Sequence, residues 1–309
     1  MSYRLQGPNL FDSGIFGTTA LPKGRKVLGK RSLVVGSNIT HASQGGKADR
    51  RSFETLISQK KNRCEKLLDL LHNRHDPERL KKLIHYVADI KTLMLAYEQM
   101  KSKPGNMTRG TSKETLDGIS LDYFKGISQL LLRGKFQFTP ARRISITKPG
   151  KTEKRPLTIA SPREKIVQKA MELVLHIIYE PTFSPCSHGF RPNKSPHSAL
   201  KMIDTQFKGA AWFIEADITK CFDTFNYPKL LEIIRRTIKC QKMVALIRRS
   251  LKAGHVELGK VAQKAMIGTP QGSVLSPLLC NIYMHELDMF MNNLKLKYDK
   301  GRKRRQNPQ

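Results

Sequence analysis

Residues 213–223 read Phe-Ile-Glu-Ala-Asp-Ile-Thr-Lys-Cys-Phe-Asp. Trp212, Ile214 and Ala216 alternate with Phe213, Glu215 and Asp217, a period of two that predicts a strand closing on the Asp217 carboxylate. A second carboxylate, Asp223, follows directly behind Phe222. Such a run constrains the fold strongly. The strand ends with a carboxylate at its C-terminal edge, where the side chain can meet solvent or a ligand. An aspartate that closes a strand is most often a turn or cap residue. The run alone therefore leaves a structural and a catalytic reading open for Asp217, and a cap or supporting role for Asp223.

The charge balance narrows the partner. Lys and Arg total 56 against 25 Asp and Glu, a formal charge of +31. A field of that size attracts polyanions and grips phosphate backbones without reading sequence, so nucleic acid is the expected partner. A membrane surface is the weaker alternative, because no segment approaches the roughly 18 uninterrupted apolar residues of a membrane span. Apolar content of 39% with 26% charged residues fits a folded chain. The five cysteines, at 64, 186, 221, 240 and 280, form no CxxC pair, and their odd number argues against a disulfide framework. They read as buried or free thiols in a reducing compartment. No histidine spacing suggests structural zinc.

Five segments follow from composition and periodicity. Residues 1–52 are basic, with Asp12 and Asp49 the only acids, and read as a disordered arm or a targeting segment. Residues 53–109 carry apolar positions at helical spacing, with Asp76 capping a helix start at Pro77. Residues 110–205 hold a helix through Tyr123 and Leu131 ended by Gly134, then two alternating runs, Arg142–Lys148 and Lys154–Ile159, around Pro149-Gly150-Lys151. These runs form a hairpin with a cationic tip. A helix from Arg163 follows, then a Pro- and Gly-rich loop at 184–195. Residues 206–295 hold the Asp217 run, a helix from Tyr227 capped by Asn226, and the loop Gly268-Thr269-Pro270-Gln271-Gly272, which runs into a helix carrying Leu275, Leu278, Leu279 and Ile282. Residues 296–309 form a basic tail.

The Ala-Asp-Ile-x-x-x-Phe-Asp run, the later string Gly268 through Tyr283 and the stretch Ser187-His188-Gly189-Phe190-Arg191-Pro192 together resemble the reverse transcriptases, or maturases, encoded by group II introns. The resemblance covers roughly residues 110–309. It implies an α+β right-hand polymerase fold: a helical N-terminal extension (53–109), fingers with the basic hairpin (110–205) and a partial palm (206–295). It also implies RNA-directed DNA polymerisation by two-metal nucleotidyl transfer, coupled to intron splicing, with Mg²⁺ as cofactor and deoxynucleoside triphosphates as substrates.

By the same resemblance Asp217 is a catalytic metal ligand, with the Ile218 carbonyl beside it. Phe222 packs under the sugar and excludes a 2′-hydroxyl. Lys151, Lys154 and Arg155 hold the incoming triphosphate, Arg155 suiting a bidentate grip from the return strand. Gln271 reads a base or sugar edge, and Gly272 lets backbone approach the primer. Arg163 and Arg191 contact template or primer phosphate. The family's Tyr-Ala-Asp-Asp segment is absent from the 309 residues. A truncated enzyme is therefore the expectation. The alternatives are a non-catalytic RNA-binding splicing factor, one half of a split reverse transcriptase completed by a second polypeptide with the missing palm, thumb and maturase domains, or an interrupted reading frame. Expected partners are intron RNA and an RNA/DNA template-primer. The expected location is the mitochondrion, with a bacterial cytoplasm as the competitor.

Overall fold

The computed structural model describes residues 64–103, 105–112, 114–147, 150, 152, 154–207, 214–218, 221–257, 260–262 and 273–305. The fold is mixed α and β, and its centre is α6 (Pro162–Tyr179). Fourteen of the 18 residues of α6 are buried. A helix buried on nearly every side must be surrounded by other elements. Around it pack α1 (Glu65–His72), α3 (Leu83–Val87), α4 (Ile90–Lys101) and α10 (Ser276–Arg305).

Local signals set most helix ends. Asp76 accepts from the Glu78 amide at 2.9 Å and opens α2 (Pro77–Lys81). Asp89 accepts from the Thr92 amide at 3.2 Å ahead of α4. Ser120 does the same for Tyr123 at the start of α5 (Leu121–Leu132). Past its end Gly134 adopts φ 67°, a conformation that costs glycine little, and Lys135 donates to the Leu130 carbonyl. Asn226 accepts from the Lys229 amide at 3.0 Å and starts α8 (Tyr227–Thr237). The helices α7 (Pro196–Gln206) and α9 (Gln241–Lys252) complete the helical set described here.

The expected hairpin is present as β1 (Ala141–Thr147) and β2 (Lys154–Ile159), antiparallel, with Arg142 opposite Ile159 and Thr147 opposite Lys154. It belongs to a larger sheet than the sequence announced. Two short strands, β3 (His255–Glu257) and β4 (Lys260–Ala262), extend it in the order β2-β1-β3-β4. β3 runs parallel to β1, with Ala141 opposite His255, and Arg143 Nη1 lies 2.8 Å from His255 Nε2.

One buried cluster runs from Cys64 to Ile282 and joins the N-terminal helices to α6 and to α8–α10. The helices of 65–101 are thus packed into the same core as the hairpin's following helix. The basic tail drawn from residue 296 begins inside α10, which continues to Arg305. Residues 1–63 lie outside the described part of the chain.

Of the strand expected to end at Asp217, Trp212 and Phe213 lie outside the described residues. Residues 214–218 carry no strand, and Ile214 is 82% exposed. Alternation marks two faces, but a strand exists only with a hydrogen-bonded neighbour. The four described strands pair only with one another. Among the described residues no helix is long and apolar enough to cross a membrane.

Candidate functional site

The loop at 184–195 is built around one buried guanidinium. Arg191 Nε and Nη2 each lie 2.8 Å from Glu180 Oε1. Its Nη1 donates to the carbonyls of Ser184 at 2.7 Å and Ser187 at 2.8 Å, and the group sits over the Phe183 ring. A Pro- and Gly-rich loop makes few backbone hydrogen bonds of its own, so an arginine with its forked donors can hold it in shape. The expectation that Arg191 touches template or primer phosphate therefore meets a different geometry, in which the residue is buried and its donors serve the loop.

The loop held in this way presents Phe190 at φ 55° with 66% of its surface exposed. A positive φ is costly for an aromatic residue and persists only where the surroundings enforce it. The Phe190 ring stands edge-on to Phe222, centroids 6.1 Å apart at 77°. Phe222 lies in the 3-10 turn Cys221–Asp223 and meets Phe225 in the same manner at 6.4 Å. Phe225, 2% exposed, tilts against Tyr283 of α10 at 4.8 Å. Such edge-on pairs contribute on the order of 0.5–1.5 kcal/mol each beyond area burial.

A hydrogen bond closes the same triangle. Asn281 of α10 is 1% exposed, and its Nδ2 donates to the Gly189 carbonyl at 2.9 Å. Cys221 Sγ and Cys280 Sγ are 3.8 Å apart. The loop at 187–191, the turn after Asp217 and the helix after the Gly268–Gly272 loop thus meet at one place, as a shared site requires. The histidines beside it are disfavoured as cations. Burial lowers His285 below the ordinary imidazole value, with Glu286 opposing and Arg191 adding to the effect. Burial also lowers His188, helped by Lys194 and Arg191.

The other predicted residues are less gathered. Asp217 is exposed and Ile218 half-buried, in the segment that leads to Phe222. Among the described residues no group of three or more His, Cys, Asp or Glu side chains assembles as a metal-ligand set. Asp217 with the adjoining Ile218 carbonyl does not by itself fit a pair of divalent ions, which need several carboxylates. Lys154 is exposed at the start of β2, and Arg155 stands opposite Ile146 in the hairpin register. Lys151, Gln271 and Gly272 lie outside the described residues. Arg163 is tied into the fold: it lies over the Tyr123 ring, 3.4 Å from Glu114 Oε1, and donates to the Thr115 carbonyl at 3.3 Å.

Sequence reasoning gave no role to Asn281, Tyr283 or Glu180. The signal for Asn281 was its place between Leu278, Leu279 and Ile282 on one apolar helix face, where an amide must find a partner. Glu180 carried no comparable signal.

Residues 146–298 match the family described as reverse transcriptase (RNA-dependent DNA polymerase). The chain is 44% identical over 258 residues to an uncharacterized 91 kDa protein in a cob intron of Schizosaccharomyces pombe, covering 82% of this chain and 32% of that protein. It is 40% identical over 272 residues to a putative COX1/OXI3 intron 1 protein of Saccharomyces cerevisiae, covering 88% and 31%. It is 42% identical over 228 residues to the group II intron-encoded protein LtrA of Lactococcus lactis, covering 74% and 38%. Relatives named as mitochondrial occur in Marchantia polymorpha and Arabidopsis thaliana, so the kinship includes mitochondrial and bacterial proteins. The chain spans about a third of the length of the first three. As a family, reverse transcriptases use divalent metal ions. With its three signature segments meeting at Phe222 and these relatives in hand, the chain belongs to the reverse transcriptase family, on the branch of the group II intron-encoded proteins.

Proposed function

We propose that this chain is the RNA-gripping part of a group II intron reverse transcriptase and maturase: helical extension (53–109), fingers (110–205) and the first half of the palm (206–295). The observation that carries the reading is the convergence of Phe190, Phe222, Phe225 and Tyr283 with the Asn281–Gly189 hydrogen bond, in a chain of charge +31. Three segments distant in sequence meet around Phe222, whose ring is half-buried and so keeps a face open to a ligand. The whole enzyme's activity is RNA-directed DNA synthesis with Mg²⁺ and deoxynucleoside triphosphates, linked to intron splicing. In that enzyme Phe222 would pack beneath the incoming sugar, Asp217 and the Ile218 carbonyl would supply part of the ligand set of the metals, and Lys151, Lys154 and Arg155 would hold the triphosphate. Gln271 and Gly272 line the template–primer junction.

The 309 residues by themselves bind intron RNA and template–primer without extending it. Asp217 is one carboxylate where two ions need several, and no Tyr-Ala-Asp-Asp segment is present in this sequence. Polymerisation then requires the remaining palm carboxylates, which lie outside these 309 residues. A mitochondrial location follows the acid-poor arm and the mitochondrial relatives. The test is primer extension with Mg²⁺ and deoxynucleotides by the purified 309-residue chain. No extension, with retained RNA binding, is the expected result. Robust extension abolished by Asp217→Asn would sink the non-catalytic reading while supporting the family assignment of Asp217.

A further inference from the structure

The sequence scatters its five cysteines singly, and spacing alone assigns them to no bond. The fold brings two of them, 59 residues apart, into contact: Cys221 Sγ, in the turn before α8, lies 3.8 Å from Cys280 Sγ on α10. We propose that Cys221 and Cys280 are an oxidation site, closing to a reversible disulfide when the chain meets hydrogen peroxide. Disulfide bonding at about 2.05 Å asks the sulfurs to approach by about 1.8 Å, a shift that rotation of the half-buried Cys221 side chain can supply.

The two thiols differ in access, and that sets the order of events. Cys221 is half-buried, whereas Cys280 is 2% exposed. The Cys221 sulfur attacks one peroxide oxygen; the O–O bond breaks, and the departing hydroxide takes the thiol proton and leaves as water. Cys221 is then a sulfenic acid. The Cys280 sulfur attacks the Cys221 sulfur; the S–O bond breaks, and the hydroxyl leaves as a second water with the Cys280 proton. Two thiols and one peroxide give one disulfide and two waters, the two electrons passing from sulfur to oxygen.

The other three cysteines are placed differently. Cys64 is fully buried beside Thr92 Oγ1 at 3.2 Å, and burial raises its thiol, as it does that of Cys186. Cys240 is 3% exposed. A thiol that resists ionisation is a poor nucleophile toward peroxide. The bond would fasten the Phe222 turn to α10, since Phe222 is the next residue after Cys221. Formation of the bond does not depend on the role proposed for Phe222; only its effect on nucleotide binding does.

The test treats the full 309-residue chain with hydrogen peroxide under native conditions, blocks remaining thiols and maps peptides without reduction. The expected product is a joined peptide pair holding Cys221 and Cys280, lighter than the separate peptides by two hydrogens and released by dithiothreitol. Cys280→Ser should stop the reaction at a Cys221 sulfenic acid that dimedone captures. Recovery of Cys221 and Cys280 as separately blocked thiols would overturn the proposal. So would Cys221 sulfinic acid beside an intact Cys280 thiol in the native chain. The map of the native chain decides even if the variant does not fold. Primer extension has no bearing on this outcome, so the disulfide and the polymerase reading fail separately.

Discussion

Asn281 of α10 donates its Nδ2 hydrogen to the carbonyl of Gly189, 92 residues earlier, at 2.9 Å. Both partners belong to segments that the sequence singled out separately, and this bond makes them neighbours. Replacing Asn281 by Leu removes the donor and strands a carbonyl against α10. The expected cost is about 1–3 kcal/mol. Urea denaturation monitored by circular dichroism measures it, and an unchanged midpoint would show that the contact does not hold the loop.

The Arg191–Glu180 pair should behave as a buried unit. Its side chains are 4% and 9% exposed. Arg191→Met leaves Glu180 charged and buried, and such losses cost on the order of 3–5 kcal/mol. The double change Arg191→Met with Glu180→Leu should recover a good part of that. Thermal melts of the three variants and the native chain close the cycle. Equal loss in the single and double variants would mean that the loop needs the Ser184 and Ser187 carbonyl bonds more than charge neutrality.

The aromatic row separates a structural ring from a site ring. Phe225 is 2% exposed and Phe222 is half-buried. Phe225→Ala should cost roughly 3–5 kcal/mol, the range for a fully buried phenylalanine. Phe222→Ala should cost well under half as much, because its ring has less area to lose. Denaturation midpoints test the ranking. If Phe222→Ala proves the more damaging, Phe222 is a core residue and its proposed place under a sugar is weakened.

The fold should weaken on mild acidification. Burial holds His285 and His188 below the ordinary imidazole value of 6.5. Below that value the unfolded chain takes up protons that the folded chain refuses. Their contribution is therefore intact above the unfolded value and is lost as pH falls through it toward the lower folded values. Melting temperatures measured between about pH 8 and about pH 5.5 should fall, and His285→Gln should flatten the fall. A melting temperature that rises on acidification would contradict the burial of these rings as neutral groups.

How far the sequence revealed this structure depended on whether the signal was local. Caps act within a few residues, so Asp76, Ser120 and Asn226 mark helix starts that the structure keeps. The hairpin strands are legible from alternation within one residue of their observed ends. β3 and β4 went unread because strands of three residues carry too little pattern and exist by pairing with β1 and each other. Residues 214–218 of the run to Asp217 differ in the opposite way, with alternation but no paired strand among those described. At the site, the motif singled out Phe222, and the structure sets its ring against Phe190 and Phe225. The burial of Arg191 was not legible, because nothing near Arg191 in the sequence says that Glu180, 11 positions back, points at it.

We propose that these residues grip group II intron RNA. Competition binding of a labelled group II intron RNA to the purified 309-residue chain, against excess tRNA over a salt series, tests it most directly. Intron RNA should stay bound when tRNA is in excess. Affinity should also fall by about 10³-fold between about 50 and 200 mM salt, as expected when many phosphate contacts release counterions. Equal displacement by tRNA at every salt concentration would contradict the claim and leave only a basic surface that binds any polyanion.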